Sequence, residues 1–168
     1  VGFLVAVCAP AAATDRGAVA VMPFKLLDTS AEPTDQRSDH QRRLKNMGSA
    51  MARELPETGA FSGAPIIGAS EVSKACPTET PNCLLGVAQS KGAAFALFGV
   101  LHKSSTLIMQ LFLTIVPVDG RKTLLSRELN FRGDNDESWT RARDFLVDQI
   151  RRELGSPPKS PVVAAPPR

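Results

Sequence analysis

Apolar positions along the chain follow two periodicities. Leu44, Met47, Met51 and Leu55 recur at steps of three or four, which predicts a helix from about Asp35 to Glu57, ended by Pro56 and Gly59. Trp139, Ala142, Leu146, Ile150 and Leu154 repeat that spacing and predict another from about Asp136 to Leu154. A shorter helix is expected from Pro81 to Lys91, with Leu84, Val87 and Ala88 facing inward and Gly92 as its left-handed cap.

Between these lie strand-like runs. Ala18 to Leu27 is almost continuously apolar and reads as a buried first strand, but Pro23 cannot donate to a ladder, so the strand is an edge or bulges there. Phe61 to Gly68 offers a short second strand around Pro65-Ile66-Ile67. Ala93 to His102, Thr106 to Val118 and Lys122 to Arg132 form an antiparallel meander. Its joints are Lys103-Ser104-Ser105 and Val118-Asp119-Gly120-Arg121, where Asp-Gly is a strong hairpin signal. In the middle strand Leu107, Met109, Leu111, Leu113 and Ile115 share one face, while Ile108, Phe112 and Val116 share the other with Gln110 and Thr114. A strand apolar on both faces is covered twice, or covered once and offered to a partner. The order β-α-β-α-β-β-β-α describes an α+β fold: one domain over residues 14–154, with a mixed sheet and packed helices.

The ends read differently. Residues 1–13 are uncharged and apolar and finish in Ala11-Ala12-Ala13, the shape of a cleaved signal segment. It is incomplete, because no Lys/Arg-rich stretch precedes it. At 13 residues it is shorter than the about 20 a membrane-spanning helix needs, so no transmembrane span is expected. Bulky Val7 before Cys8 argues against a lipid anchor there. Residues 155–168 hold five prolines and no periodicity and read as a disordered tail or linker. Export places the mature chain in the periplasm.

Composition narrows the chemistry. Twenty basic and 17 acidic residues leave a net charge of only +3, and the cluster Arg37, Arg42, Arg43 and Lys45 has no interleaved aromatic residues. It reads as a solvated helix face, and nucleic acid is not expected as a partner. Cys76 and Cys83, the pair left after the signal segment, read as a disulfide in an oxidising compartment. His40 and His102 stand in unrelated segments without metal-ligand spacing, and no metal or cofactor is expected. Neither Ser104 nor Ser105 lies in a nucleophile elbow, and no phosphate loop or dinucleotide fingerprint is present, so no catalytic residues are assigned.

The densest polar segment runs from Arg132 to Trp139. Arg132, Asp134, Asp136, Glu137 and Trp139 form a candidate ligand or divalent-cation site, although the spacing does not complete a calcium loop. The same residues can instead start a helix: Asp134 or Asp136 as cap, acids at the positive helix end and Trp139 as first inward contact.

The signature Arg132-Gly133-Asp134-Asn135-Asp136-Glu137-Ser138-Trp139, with Lys103-Ser104-Ser105-Thr106-Leu107-Ile108 and the Cys76/Cys83 pair, resembles a family of small exported proteobacterial proteins. That family is catalogued as domain of unknown function 3280. Where similar proteins read Leu-Gly-Ala-Asp before the third strand, this chain has Lys91-Gly92-Ala93-Ala94. Val21-Met22-Pro23-Phe24 also resembles the opening of the amino-terminal domain of TolB and related envelope proteins. These resemblances imply an envelope address and a role in protein interaction rather than catalysis, with an envelope or periplasmic protein as partner.

Overall fold

The computed structural model describes residues 16–155. The expected signal segment with Cys8, and the tail beyond Gly155, lie outside it. In chain order the elements are β1 (Val19–Val21), β2 (Lys25–Asp28), α1 (Arg37–Glu57), α2 (Ala69–Ala75), α3 (Pro81–Ser90), β3 (Phe95–Ser105), β4 (Ile108–Pro117), β5 (Leu125–Phe131) and α4 (Asp136–Leu154). This is the expected α+β order with three differences, the first being that the expected first strand is split into β1 and β2. The strand expected over 61–68 is a single bridge, Ile66 to Val21, and the short helix α2 follows it. Pro65 lacks an N–H, and Gly68 ends the run too soon for a longer ladder.

The sheet has five strands in the order β1-β3-β4-β5, with β2 also paired to β3. Both β1 and β2 run parallel to β3, one after the other along it. Pro23 therefore does what its chemistry demands: it interrupts the first apolar run, splitting it into two short strands. β3, β4 and β5 form the antiparallel meander. β3 continues to Ser105, so the tight turn falls at Thr106–Leu107 and not at 103–105. Leu107, expected with the inward set, sits at that tip 69 % exposed.

Alternation sends Leu97 and Leu101 of β3 and Met109, Leu111, Leu113 and Ile115 of β4 onto one face, where α1 and α4 cover them with Met47, Met51, Leu55, Trp139, Leu146 and Ile150. Gly99 is required in this layer. A Cβ there would stand 2.1 Å from the Phe24 ring, which lies across the strand. Among the described residues the opposite face is covered at one end, where Ala20, Ala96 and Phe98 meet Val72, Val87 and Ala88 of α2 and α3. A disulfide between Cys76 and Cys83, with Cα atoms 5.8 Å apart, ties these two helices together. Gly92, at φ +73°, closes α3 as its position suggested.

Among the described residues, no helix lies over the remaining half of the second face. Leu27, Val100, Ile108 and Phe112 lie there, between 38 and 55 % exposed. On the same face His102 Nδ1 donates to Gln110 Oε1 (3.0 Å), and its Nε2 lies 2.9 Å from Thr29 Oγ1.

Candidate functional site

The junction between β5 and α4 is built from Gly133. Its φ of +93° belongs to the left-handed region, and a Cβ would meet Ser138 Oγ at 2.9 Å and Asn135 Nδ2 at 3.0 Å. This turn sends Asp134 into the protein and leaves Asn135 to cap α4, its Oδ1 accepting from Ser138 N at 2.9 Å. The cap is thus Asn135, and neither Asp134 nor Asp136. The Asp134 carboxylate is taken up by side chains of α1, β3 and α4, and Asp136 is already in the first turn.

Asp134 has a fully buried side chain. Its Oδ1 accepts from Arg43 Nη1 (2.9 Å) and Trp139 Nε1 (3.0 Å), and its Oδ2 accepts from His40 Nε2 (2.7 Å) and Lys103 Nζ (2.9 Å). Lys103, itself buried in the sheet, also donates to Glu32 Oε2 at 2.9 Å and to Gln36 Oε1. Glu32 Oε1 accepts from the Thr106 backbone N–H (2.7 Å) and hydroxyl, and the Asp134 N–H donates to the Thr106 carbonyl (3.0 Å). One ionic cluster therefore binds the β2–α1 loop, the start of α1, the β3–β4 turn and the start of α4. The Trp139 ring lies nearly parallel to His40 (16°, centroids 6.3 Å apart), with the Arg43 guanidinium 6.0 Å from its centroid.

The electrostatics are mutual. Burial alone would raise the Asp134 carboxyl, but the hydrogen bonds and charges of His40 and Lys103 outweigh it and hold it below the usual carboxylate range. Burial likewise opposes the Lys103 ammonium, yet Asp134 and Glu32 raise it above the ordinary lysine value. Asp136, largely exposed, is held strongly ionised by Arg42 and Arg43, which reach it at 2.7–3.0 Å.

Of the residues singled out by sequence, Asp134, Asp136 and Trp139 are brought together. Glu137 points to solvent and pairs with Arg141, one helical turn on. Arg132 lies apart, beside Leu129, Phe131 and Phe145 in a shallow groove between β5 and α4. The basic cluster of α1 is only partly solvated. Arg37 pairs with Asp35 in solvent, whereas the Arg43 side chain is 13 % exposed and spans both Asp134 and Asp136. His40, Arg43, Lys103, Glu32 and Gln36 are the members that sequence reasoning missed. Two left a signal: His40 falls four residues before Leu44 on the α1 stripe, and Lys103 continues the inward alternation Leu97, Gly99, Leu101.

Chemically, the arrangement is saturated. Four donors occupy the Asp134 oxygens, three acceptors surround the Lys103 ammonium, and among the described residues no buried side-chain nitrogen or oxygen lacks a partner. Among those residues no group of three or more His, Cys, Asp or Glu could hold a metal ion. The cleft of about 210 Å³ beside Trp139 is lined by Arg42, Arg43 and Arg143, each already paired with a carboxylate. A larger apolar groove, about 500 Å³, lies between α1 and the strand break at Pro23.

No helix among the described residues is long and apolar enough to cross a membrane. No curated protein matches the sequence. Among solved structures, PelC from Paraburkholderia phytofirmans, described as a dodecamer, matches with a TM-score of 0.54 at 15 % identity over 86 % of this chain and 93 % of PelC. The hypothetical protein CT253 from Chlamydia trachomatis matches at 0.50, 14 % identity, 82 % and 98 %. TolB from Acinetobacter baumannii matches at 0.44, 12 % identity, over 82 % of this chain and 28 % of TolB. The likenesses to PelC and CT253 establish the fold. The sequence pattern of DUF3280, described as a protein of unknown function (DUF2380), covers residues 17–150, so the chain belongs to the DUF3280 family.

Proposed function

We propose that this protein is an exported accessory module of the bacterial envelope that acts in the periplasm through contacts with other proteins and carries out no catalysis. One observation carries the reading: the charged junction is closed upon itself, while half of one sheet face presents Leu27, Val100, Ile108 and Phe112 to solvent. Apolar side chains grouped on one face mark contact surfaces more often than chemistry. The dodecameric PelC has this fold, and we carry over from it only that a domain of this shape is suited to assembly.

A photo-cross-linking residue at position 112, set against one at exposed Lys122, tests the reading in cells expressing the whole precursor. Discrete adducts from position 112 alone are expected, in the fraction released by osmotic shock, with the mature chain beginning at Thr14. Equal adducts from both positions, or none from position 112, would overturn it.

A further inference from the structure

Arg132 opens the polar segment that ends at Trp139, yet the closed cluster leaves it unused. It is exposed and, among the described residues, has no hydrogen-bond or ion-pair partner. It follows directly on β5, which ends the sheet. The opposite margin is protected: the Gly63 and Pro65 carbonyls accept from Val19 and Val21 of β1, and β2 is only four residues long. β5 runs for seven residues, contains no proline and stays in register with β4 throughout. Proline, bulges and shortness are the usual means of blunting an edge, and β5 lacks all three. Among the described residues, the Ser126 carbonyl is the one backbone group of β5 bonded outside the ladder, accepting from Arg127 Nη1. Alternate residues of a strand with a single neighbour direct N–H and C=O away from it, so the stretch from Glu128 to Phe131 offers unmatched backbone groups.

Beside this edge runs the shallow groove between β5 and α4, about 250 Å³ in volume. Leu129 and Phe131 form one wall, Ala142 and Phe145 the other, and Phe145 is 44 % exposed. Arg132 and Arg141 stand at the end nearest the junction, and among the described residues no acid lines the groove. Arg141 is shared with Glu137. Edge, groove and charge together specify one occupant. A strand laid along β5 would extend the ladder, and its alternate side chains would fall into the groove against Phe145. A carboxylate on that strand would meet the free Arg132 guanidinium. A small apolar molecule would use the groove alone. A second β5, paired antiparallel about Glu128, would set like charges opposite one another.

We infer that the β5 edge and the β5–α4 groove receive an extended segment of a partner protein, with apolar side chains at alternate positions and an Asp or Glu beside Arg132. This goes beyond contact through the open sheet face and names a second surface, on the helix-covered side of the sheet.

A phage-displayed library of random peptides of about 12 residues, panned against the purified full chain, supplies the probe. Enriched sequences should alternate apolar residues and carry an acid. By fluorescence anisotropy, an enriched peptide should bind Arg132→Glu and Phe145→Lys at least tenfold more weakly, with circular dichroism spectra unchanged. Lys122→Glu, the same charge change at another exposed site, should leave binding intact. Exchanging the peptide's acid for lysine should restore binding to Arg132→Glu, a gain that a misfolded variant would not give. Two peptides N-methylated on opposite sets of alternate amides read the strand pairing: one should bind and the other should not. No enrichment, enriched sequences without an acid, undiminished binding by Arg132→Glu, or equal loss from both methylated peptides would overturn the inference. These readouts are separate from cross-linking at position 112, so either surface can fail while the other stands.

Discussion

Replacing Asp134 with alanine removes the one acceptor on which His40, Arg43, Lys103 and Trp139 converge. Lys103 is the most exacting partner: its side chain is 1 % exposed, and of its remaining acids Glu32 is 2.9 Å away and Asp28 3.9 Å. Removing one member of a buried ion pair costs about 3–5 kcal/mol when the charge left behind is neither solvated nor paired; Lys103 keeps Glu32 as a partner, so a loss of about 2–4 kcal/mol is expected. For a domain of this size that is a fall in melting temperature on the order of 10 °C. Lys103→Met removes the charge but fills the space, leaving Asp134 with Arg43, His40 and Trp139, and should cost less, about 1–3 kcal/mol. Combining Asp134→Ala with Lys103→Met should cost less than the sum of the two single changes, since each removes what the other leaves unpaired. Glu137→Ala, at the exposed end of the same segment, is the control and should stay within about 0.5 kcal/mol. Urea unfolding followed by circular dichroism and by Trp139 fluorescence measures all four. If Asp134→Ala proved no more harmful than Glu137→Ala, the cluster would not hold the corner together, and the burial of Asp134 would need another explanation.

The same carboxylate predicts an acid limb to stability. Its folded pKa lies below the ordinary value of 3.8, so its contribution is complete above about pH 4 and is lost as pH falls through the lower folded value. Unfolding free energy measured from pH 6 to 2 should show that loss in the wild type and a smaller one in Asp134→Asn. Gly99→Ala, which drives a methyl group against the Phe24 ring, should destabilise by about 1–3 kcal/mol, and Phe24→Leu should recover part of that in the double variant. Reducing the Cys76–Cys83 bond should cost about 2–3 kcal/mol, the entropy of closing so short a loop, seen as a lower urea midpoint in reductant. A loss above 5 kcal/mol would mean that the bond does more than clamp α2 to α3.

Local signals wrote most of the fold into the sequence. The α4 limits follow from the stripe beginning at Trp139, the meander follows from alternation and Asp-Gly, and the break at Pro23 follows from its missing N–H. The strand over 61–68 is reduced to one bridge although β1 lies beside it, with Val19 and Val21 N–H donating to the Gly63 and Pro65 carbonyls and Ile67 N–H to the Val21 carbonyl, because Pro65 has no N–H for the next bond of the ladder. The site was harder for a physical reason. His40 lies 94 residues from Asp134 and Arg43 lies 91, so no local window contains the pair. A histidine on an apolar stripe and a lysine on the inward side of a strand each announce a buried partner, but neither names it. The acidic residues of the junction therefore read as a cation site or a helix start, and the cations that Asp134 and Asp136 pair with are side chains of this same chain.

β3 then joins the two halves of the functional reading. Lys103 points into the closed corner and its neighbour His102 into the open face, because successive residues of a strand alternate. Stability and contact thus occupy opposite sides of one strand, and variants should separate them. Substitutions at Asp134 or Lys103 should lower unfolding free energy and disturb association only through loss of folded protein. Substitutions at Ile108 or Phe112, which are 55 % and 38 % exposed and bury little in the isolated domain, should weaken contacts made through this face with stability nearly unchanged. A variant at Phe112 that unfolded the domain as severely as Asp134→Ala would show that this face belongs to the domain's own core. The apolar rows would then be structure, and the contact surface would have to lie elsewhere.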